Sequence, residues 1–167
     1  MPLTRRRFVQ AAGIAGVTIG GAGSATARGS GRRFTAHLAG RNEVPPVATN
    51  ARGQATFRLD RDGAELSYRL IVANIEDVLM AHIHLGGTDE NGPVVAWLYP
   101  EGGPPPSLIE GRFSGVLATG TVTADALVGA LDGEPLGALV DEIRAGNAYV
   151  NVHTSANPAG EVRGQIG

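Results

Sequence analysis

Cysteine and lysine are both absent from this sequence of 167 residues. Without cysteine, the protein has no disulfide, no thiolate metal ligand, no cysteine nucleophile and no cysteine-linked lipid anchor. All 14 basic residues are arginines, and 16 acidic residues outnumber them to give a net charge of −2. This balance argues against nucleic acid as a partner, because a nucleic-acid-binding domain needs a basic surface to neutralise phosphates. No apolar run approaches the ~18 residues of a membrane-spanning helix, so no membrane span is predicted.

Glycine, in contrast, is abundant. Its 25 copies are about twice the average usage of ~7%, and they are neither periodic, as in collagen, nor confined to one segment. Glycines spread in this way are typical of a β domain with many turns. The length fits a single domain, which we place at 34–167.

The N-terminal segment has the features of an export signal. Thr4 is followed by Arg5-Arg6-Arg7-Phe8, then by a short, mildly apolar run and the small residues Ala25-Thr26-Ala27. This order predicts a twin-arginine signal peptide over 1–27, with an ordinary secretion signal as the alternative, and a linker over 28–33. The mature protein is therefore expected to be secreted, periplasmic or attached to the cell surface.

The rest of the chain favours strands. Alternation of apolar and polar residues between turn signals predicts an antiparallel β-sandwich or Greek-key barrel. Leu136, Leu139, Val140 and Ile143 follow the i, i+3, i+4, i+7 spacing of an amphipathic helix, so one short helix is expected near 135–145. The predicted strands are 34–39, 53–59, 66–72, 80–85, 94–98, 111–123, 149–153 and 161–166.

Three of the four histidines occur in similar surroundings, near the end of a strand and before a polar loop. His82 and His84 are two residues apart, which places them on one face of a strand and ~6.5–7 Å from each other along it. His153 closes another strand. If these strands are neighbours, the three imidazoles can bind one metal ion, and in the absence of thiolates copper or zinc fits best. The alternative is that the histidines only form hydrogen bonds where loops meet strand ends. The fourth, His37, is interpreted as an exposed strand residue.

Other polar residues receive supporting roles. Tyr149 and Asn151 share the strand face of His153 and are candidate second-shell residues of the metal site. Glu161 is expected either to orient a histidine or to pair with Arg163. Glu43, beside two prolines, is interpreted as a surface turn residue. No motif of nucleophilic catalysis or nucleotide binding occurs, so no catalytic or organic-cofactor-binding residue is predicted, and an enzyme is not the favoured interpretation.

Five sequence motifs together resemble the CHRD (chordin-type) domain family. In order they are LAGRNEVPP at 38–46, AHIHLG at 81–86, NGPV at 91–94, GNAYVNVHT at 146–154 and NPAGEVRGQI at 157–166. The resemblance covers almost the whole of the chain after the signal. It implies an extracellular β-sandwich, in a family whose members usually have no assigned activity.

A looser likeness is to the copper/zinc superoxide dismutases, which are also β-sandwiches. His82, His84 and His153 are similar to three copper ligands of that family, but no bridging histidine follows in 86–93 and the disulfide cysteines are missing. Three hypotheses follow. The protein is a copper- or zinc-binding module, an extracellular structural or interaction module with a cell-surface or extracellular protein partner and no metal, or a dismutase-like oxidoreductase.

Overall fold

The computed structural model describes residues 30–167, and the signal peptide predicted over 1–27 lies outside them. Ser30–Arg32 form a short 3-10 helix and Arg33 already belongs to the first strand, so ordered structure begins within the segment expected to be a linker. None of the helices in this part of the chain has the length and hydropathy of a membrane span. The elements are β1 (Arg33–Ala39), β2 (Arg52–Leu59), β3 (Leu66–Leu85), β4 (Val94–Tyr99), β5 (Ile109–Val122), α1 (Leu136–Arg144), β6 (Ala148–Thr154) and β7 (Val162–Gln165).

The strand β3 is much longer than expected. The sequence predicts two separate strands, 66–72 and 80–85, whereas the structure has one strand of 20 residues. Asn74 and Asp77, which signal a turn in the sequence, adopt positive φ values of 55° and 52°. The pairing of β3 with β5 shifts register around both residues, so they form bulges that bend the strand without ending it.

Because β3 bends, it belongs to two sheets. Residues 66–73 pair with β2 on one side and β5 on the other, and residues 78–85 pair with β6 and β4. The first sheet therefore has the order β1-β2-β3-β5 and the second β4-β3-β6-β7. The pair Ala39–Arg163 joins β1 to β7. All strand pairs are antiparallel, which confirms the predicted mainly β, closed sandwich.

The core lies between the two sheets and consists of the inward-facing residues of each strand. Fully burying one such aliphatic or aromatic side chain contributes roughly 1.5–3 kcal/mol to stability. The core includes Phe34, Leu38, Phe57, Leu66, Leu70, Val72, Ala81, Ile83, Leu98, Val150, Val152 and Val162.

The one α-helix within residues 30–167 packs against this core and confirms the helix predicted near 135–145. Leu136, Leu139, Val140 and Ile143 are all buried, as their spacing indicates. Gly146 ends the helix with a φ of 76°. The N–H of Gly146 donates to the carbonyl of Ile143, and that of Asn147 donates to the carbonyl of Glu142, an arrangement that requires a left-handed residue at Gly146.

Candidate metal centre

Three histidines meet on the outer face of the second sheet. On β3, Ala81 and Ile83 point into the core, so His82 and His84 point outward. In the register of β3 with β6, Met80 lies opposite His153, which brings His153 beside the other two. Their exposed fractions are only 3% for His82, 8% for His84 and 5% for His153, although none of them faces the core.

The distances between the imidazoles suit a single ion. His82 Nδ1 lies 3.1 Å from His153 Nε2, and one ligand atom from each of the three histidines lies within 4.8 Å of the others. Two nitrogens bound to zinc at ~2.0–2.1 Å are about 2.9–3.4 Å apart for angles between about 90° and 110°. The pair His82–His153 is thus already spaced as two ligands of one ion.

Backbone carbonyls orient two of the rings. His84 Nδ1 lies 2.9 Å from the carbonyl oxygen of Gly92, and His153 Nδ1 lies 3.0 Å from that of Pro158. A carbonyl only accepts, so both Nδ1 atoms carry the proton and both Nε2 atoms have a lone pair, which in His153 faces His82 Nδ1. The Nε2 atom of His84 has no hydrogen-bond partner within 30–167. An imidazole held by a carbonyl on one nitrogen and free on the other is the arrangement of metal-binding histidines.

The site keeps its imidazoles neutral. Burial, reinforced by the charges that His153 and His84 would carry, lowers the pKa of His82 to about 3. Burial likewise lowers the pKa of His153 to about 4. The pKa of His84 is also lowered, mainly by burial and against the effect of the Gly92 carbonyl. At neutral pH all three rings therefore offer lone pairs rather than positive charge.

The loop 86–93 covers the site, and Arg163 holds it in place. Arg163 is 1% exposed. Its guanidinium donates to the carbonyls of Gly87 and Glu90 and to Asn91 Oδ1. The sequence suggested an ion pair between Arg163 and Glu161, and this was wrong, because the guanidinium is used by the loop. The outward position of Arg163 next to the core residue Val162 is the only signal that could have indicated its role.

Tyr149 connects this arginine to the histidines. The Arg163 guanidinium carbon lies 3.4 Å from the centroid of the Tyr149 ring. The Tyr149 ring also stacks on the ring of His84, with 4.9 Å between the two ring centroids and 10° between the ring planes. The Tyr149 hydroxyl also accepts a hydrogen bond from the N–H of Gly92, the residue whose carbonyl holds His84. Tyr149 thus supports the ring of His84 in two ways.

Gly92 is the point where the loop comes closest to β3. A Cβ atom at this position would lie 1.5 Å from the carbonyl oxygen of Leu85. Only glycine can therefore bring its carbonyl to His84 at this separation.

Two other expected second-shell residues lie near the site. Asn151 is opposite His82 in the strand register and is buried. Glu161 accepts hydrogen bonds from the hydroxyls of Thr49 and Thr154. The carbonyl of Pro158, not Glu161, holds the ring of His153. Glu161 is connected to His153 only through Thr154, the next residue in the chain, whose hydroxyl donates a hydrogen bond to it.

Glu43 is not the surface residue that the sequence suggested. It is 5% exposed, and a Cβ atom added to Gly160 would lie within 2.8 Å of both Glu43 Oε1 and Asn151 Nδ2. The prolines that follow it place the 40–46 loop against β7, where burial raises the pKa of Glu43 to about 7 although Arg163 opposes the shift.

The fourth histidine lies elsewhere. His37 is exposed on β1, as the sequence predicted. His37 does not belong to the group of close metal-ligating side chains in 30–167, so it serves as a natural control for experiments on the other three.

We expect Tyr149→Phe to weaken metal binding by about tenfold while the protein stays folded. The substitution keeps the ring on His84 but removes the acceptor for Gly92 N–H, and the loss of such an outer hydrogen bond typically costs 10–100-fold in affinity. Isothermal titration with Zn²⁺ measures the change. Tyr99→Phe, which loses a hydroxyl bonded to Ser107 away from the site, is the control, and equal affinities for wild type and Tyr149→Phe would contradict this role.

Comparisons with known proteins cover almost all of the part of the chain that the structure describes. Residues 34–166 match the CHRD domain. The chain is 36% identical to Chordin from Xenopus laevis over 133 residues, which cover 77% of this chain and 12% of Chordin. No solved structure gives a significant match. The match to the family extends from β1 to the residue after β7, so the chain belongs to the CHRD domain family.

Proposed function

We propose that this protein is exported and that it binds one copper or zinc ion through His82, His84 and His153. The observation that carries the proposal is the convergence of three buried, neutral imidazoles from two strands. Burying three imidazoles costs free energy, and the Nε2 atom of His84 has no hydrogen-bond partner in the described chain to offset that cost. A metal ion would satisfy it.

The donor set supports copper or zinc over other metals. Imidazole suits zinc, copper, nickel and iron, whereas calcium and magnesium prefer oxygen ligands. No carboxylate belongs to the group of close ligand atoms in 30–167. Met80, opposite His153 in the strand register, would add a thioether on this face and favour copper(I).

Trp97 provides a direct measurement. It is the only tryptophan of the chain, and its ring centroid lies 4.2 Å from that of His82. Protein prepared without an affinity tag is first analysed for bound metal and is then titrated with Cu²⁺ and Zn²⁺. We expect one equivalent of Cu²⁺ to quench the Trp97 emission. The d¹⁰ ion Zn²⁺ should bind in competition with Cu²⁺ without quenching by itself.

The variants His84→Ala and His153→Ala test the ligand set, and His37→Ala is the matched control. Removal of either ligand leaves two imidazoles. The metal affinity should therefore fall by more than ~100-fold, the largest loss typical when only a residue that supports a ligand is removed. His37→Ala should bind like the wild type. An unchanged affinity in His153→Ala, in protein that is folded by circular dichroism, would exclude the three-histidine site.

A second candidate function is an extracellular interaction module that works without metal. The similarity to Chordin favours it and also supports an extracellular location. The same titration separates the two candidates, because the interaction module predicts no stoichiometric metal at micromolar concentration. A dismutase-like activity ranks third, since the imidazoles are at most 8% exposed. Superoxide consumption by the copper-loaded protein no faster than that by free copper would exclude it.

A further inference from the structure

The first sheet has an outward face that the metal site does not use. Because opposite residues of antiparallel strands share a face, the register shows which side chains lie together there. One row contains Arg33, Arg58, Ser67 and Thr121, and the next contains Thr35, Thr56, Arg69 and Thr119. We call the eight side chains of these two rows the arginine face.

The arginine face carries three positive charges and has no carboxylate within its two rows. Arg33, Arg58 and Arg69 are exposed, and Arg33 lies directly opposite Arg58, a like-charge pair that costs stability. Neither of the two salt bridges within 30–167 involves them, since those join Arg112 to Glu76 and Arg144 to Asp141. No acidic residue occurs in β1, in β2 or in residues 66–73 of β3.

Two open clefts continue the face. One of about 470 Å³ is lined by Arg32, Arg33, Arg58 and Arg61, together with Asp60 and Glu65 of the adjacent turn. Asp60 accepts the N–H groups of Ala64 and Glu65, and the four arginines of this cleft outnumber its two carboxylates. The other, of about 270 Å³, lies among Arg33, Arg58 and Arg69. Five arginines are thus grouped in a protein whose net charge is negative.

We propose that the arginine face binds an acidic polysaccharide. Guanidinium groups form paired hydrogen bonds with carboxylate and sulfate groups. Between the arginines lie only small hydroxyl side chains, those of Thr35, Thr56, Ser67, Thr119 and Thr121, which suit the hydroxyls of sugar rings. A flat surface in which charges alternate with hydroxyls is complementary to an extended polymer that carries both.

Other polyanions fit the face less well. The aromatic residues of β1, β2 and residues 66–73 of β3 are Phe34, Phe57 and Tyr68, and all three are buried. The two rows of the face therefore offer no rings on which bases of single-stranded nucleic acid could stack. Val116, at the β5 edge, and Leu108 are the exposed large hydrophobic residues of 30–167. A membrane-surface site needs a larger apolar area than this.

The full-length exported protein is tested for binding to immobilised heparin, a sulfated probe, and to polygalacturonate, a carboxylate probe, with dextran as the neutral polymer. We expect binding to at least one acidic probe at 0.15 M salt, with no binding to dextran. The double variant Arg58→Gln/Arg69→Gln should bind at least tenfold more weakly, and the slope of log affinity against log salt should become shallower.

The matched control is Arg112→Gln/Arg144→Gln, which removes the same charge from exposed positions outside the face. It should bind almost like the wild type. Equal losses in the two double variants would mean unspecific ion exchange and would overturn the proposal. Anionic vesicles or a single-stranded oligonucleotide that bind more tightly than both acidic polysaccharides would also overturn it.

Discussion

Replacing Arg163 with alanine is expected to lower the free energy of unfolding by about 3–5 kcal/mol, the range seen when one partner of a buried charged network is removed. The guanidinium is almost completely buried and holds Gly87, Glu90 and Asn91. Alanine would leave these acceptors without a donor and would uncover the ring of Tyr149. These hydrogen bonds are partly buried, so each acceptor that loses its donor adds a cost of up to the ~1–3 kcal/mol of a buried one.

Urea unfolding of metal-free protein measures this difference. Arg112→Ala is the control, since its ion pair with Glu76 is exposed and such pairs contribute ~0–1 kcal/mol. Arg163→Lys should recover part of the stability, because an ammonium group can reach one carbonyl but cannot span three acceptors. A loss below 1 kcal/mol in Arg163→Ala would show that the loop is held by other contacts.

Acidification of the metal-free protein from pH 6.5 to 4.5 is expected to remove several kcal/mol of stability. The pKa values of His82 and His153 are about 3 and about 4 in the folded protein, and that of His84 is lowered. In the unfolded chain histidine titrates near ~6.5. The unfolded state therefore binds more protons in this interval, and stability falls with falling pH.

Glu43 has the opposite effect on the pH dependence of stability, because its protonation favours the folded state. Burial raises the pKa of Glu43 from 4.5, its ordinary value, to about 7 in the folded protein, so the folded state keeps a proton that the unfolded state loses. The net difference is about two protons, which corresponds to roughly 2.7 kcal/mol per pH unit at most and on the order of 3–5 kcal/mol over the interval.

Urea unfolding at pH 7, 6, 5 and 4.5, with a chelator present, measures this dependence. His153→Gln should make it shallower, because the variant removes one of the histidines with a lowered pKa. Equal stability of the wild type at pH 7 and pH 5 would contradict the neutral, buried histidines.

The histidine group could be predicted from sequence because alternation along a strand is a local property. His82 and His84 share a face whatever the partner strand is, and only their proximity to His153 depends on the pairing of β3 with β6. The continuity of β3 could not be predicted in this way, since Asn74 and Asp77 signal turns and only the pairing with β5 turns them into bulges.

Arg163 and Glu43 show the limit of local reasoning. Their side chains are buried by loops that come from distant parts of the sequence. The residues on either side of them in the sequence therefore do not predict this burial. The arginine face could not be predicted from the sequence for a related reason. The net charge of the whole chain is negative, and only the register of β1, β2 and β3 reveals that several arginines lie on one side.

The bend in β3 has a consequence for how the protein would be presented outside the cell. One strand carries Arg69 on the outward side of the first sheet and His82 and His84 on the outward side of the second. The core separates these two sides. A molecule lying on a polymer through Arg58 and Arg69 would hold the sheet that carries its three imidazoles on the side away from the polymer. Attachment and metal capture would then proceed on opposite sides of one domain, without competing for the same area.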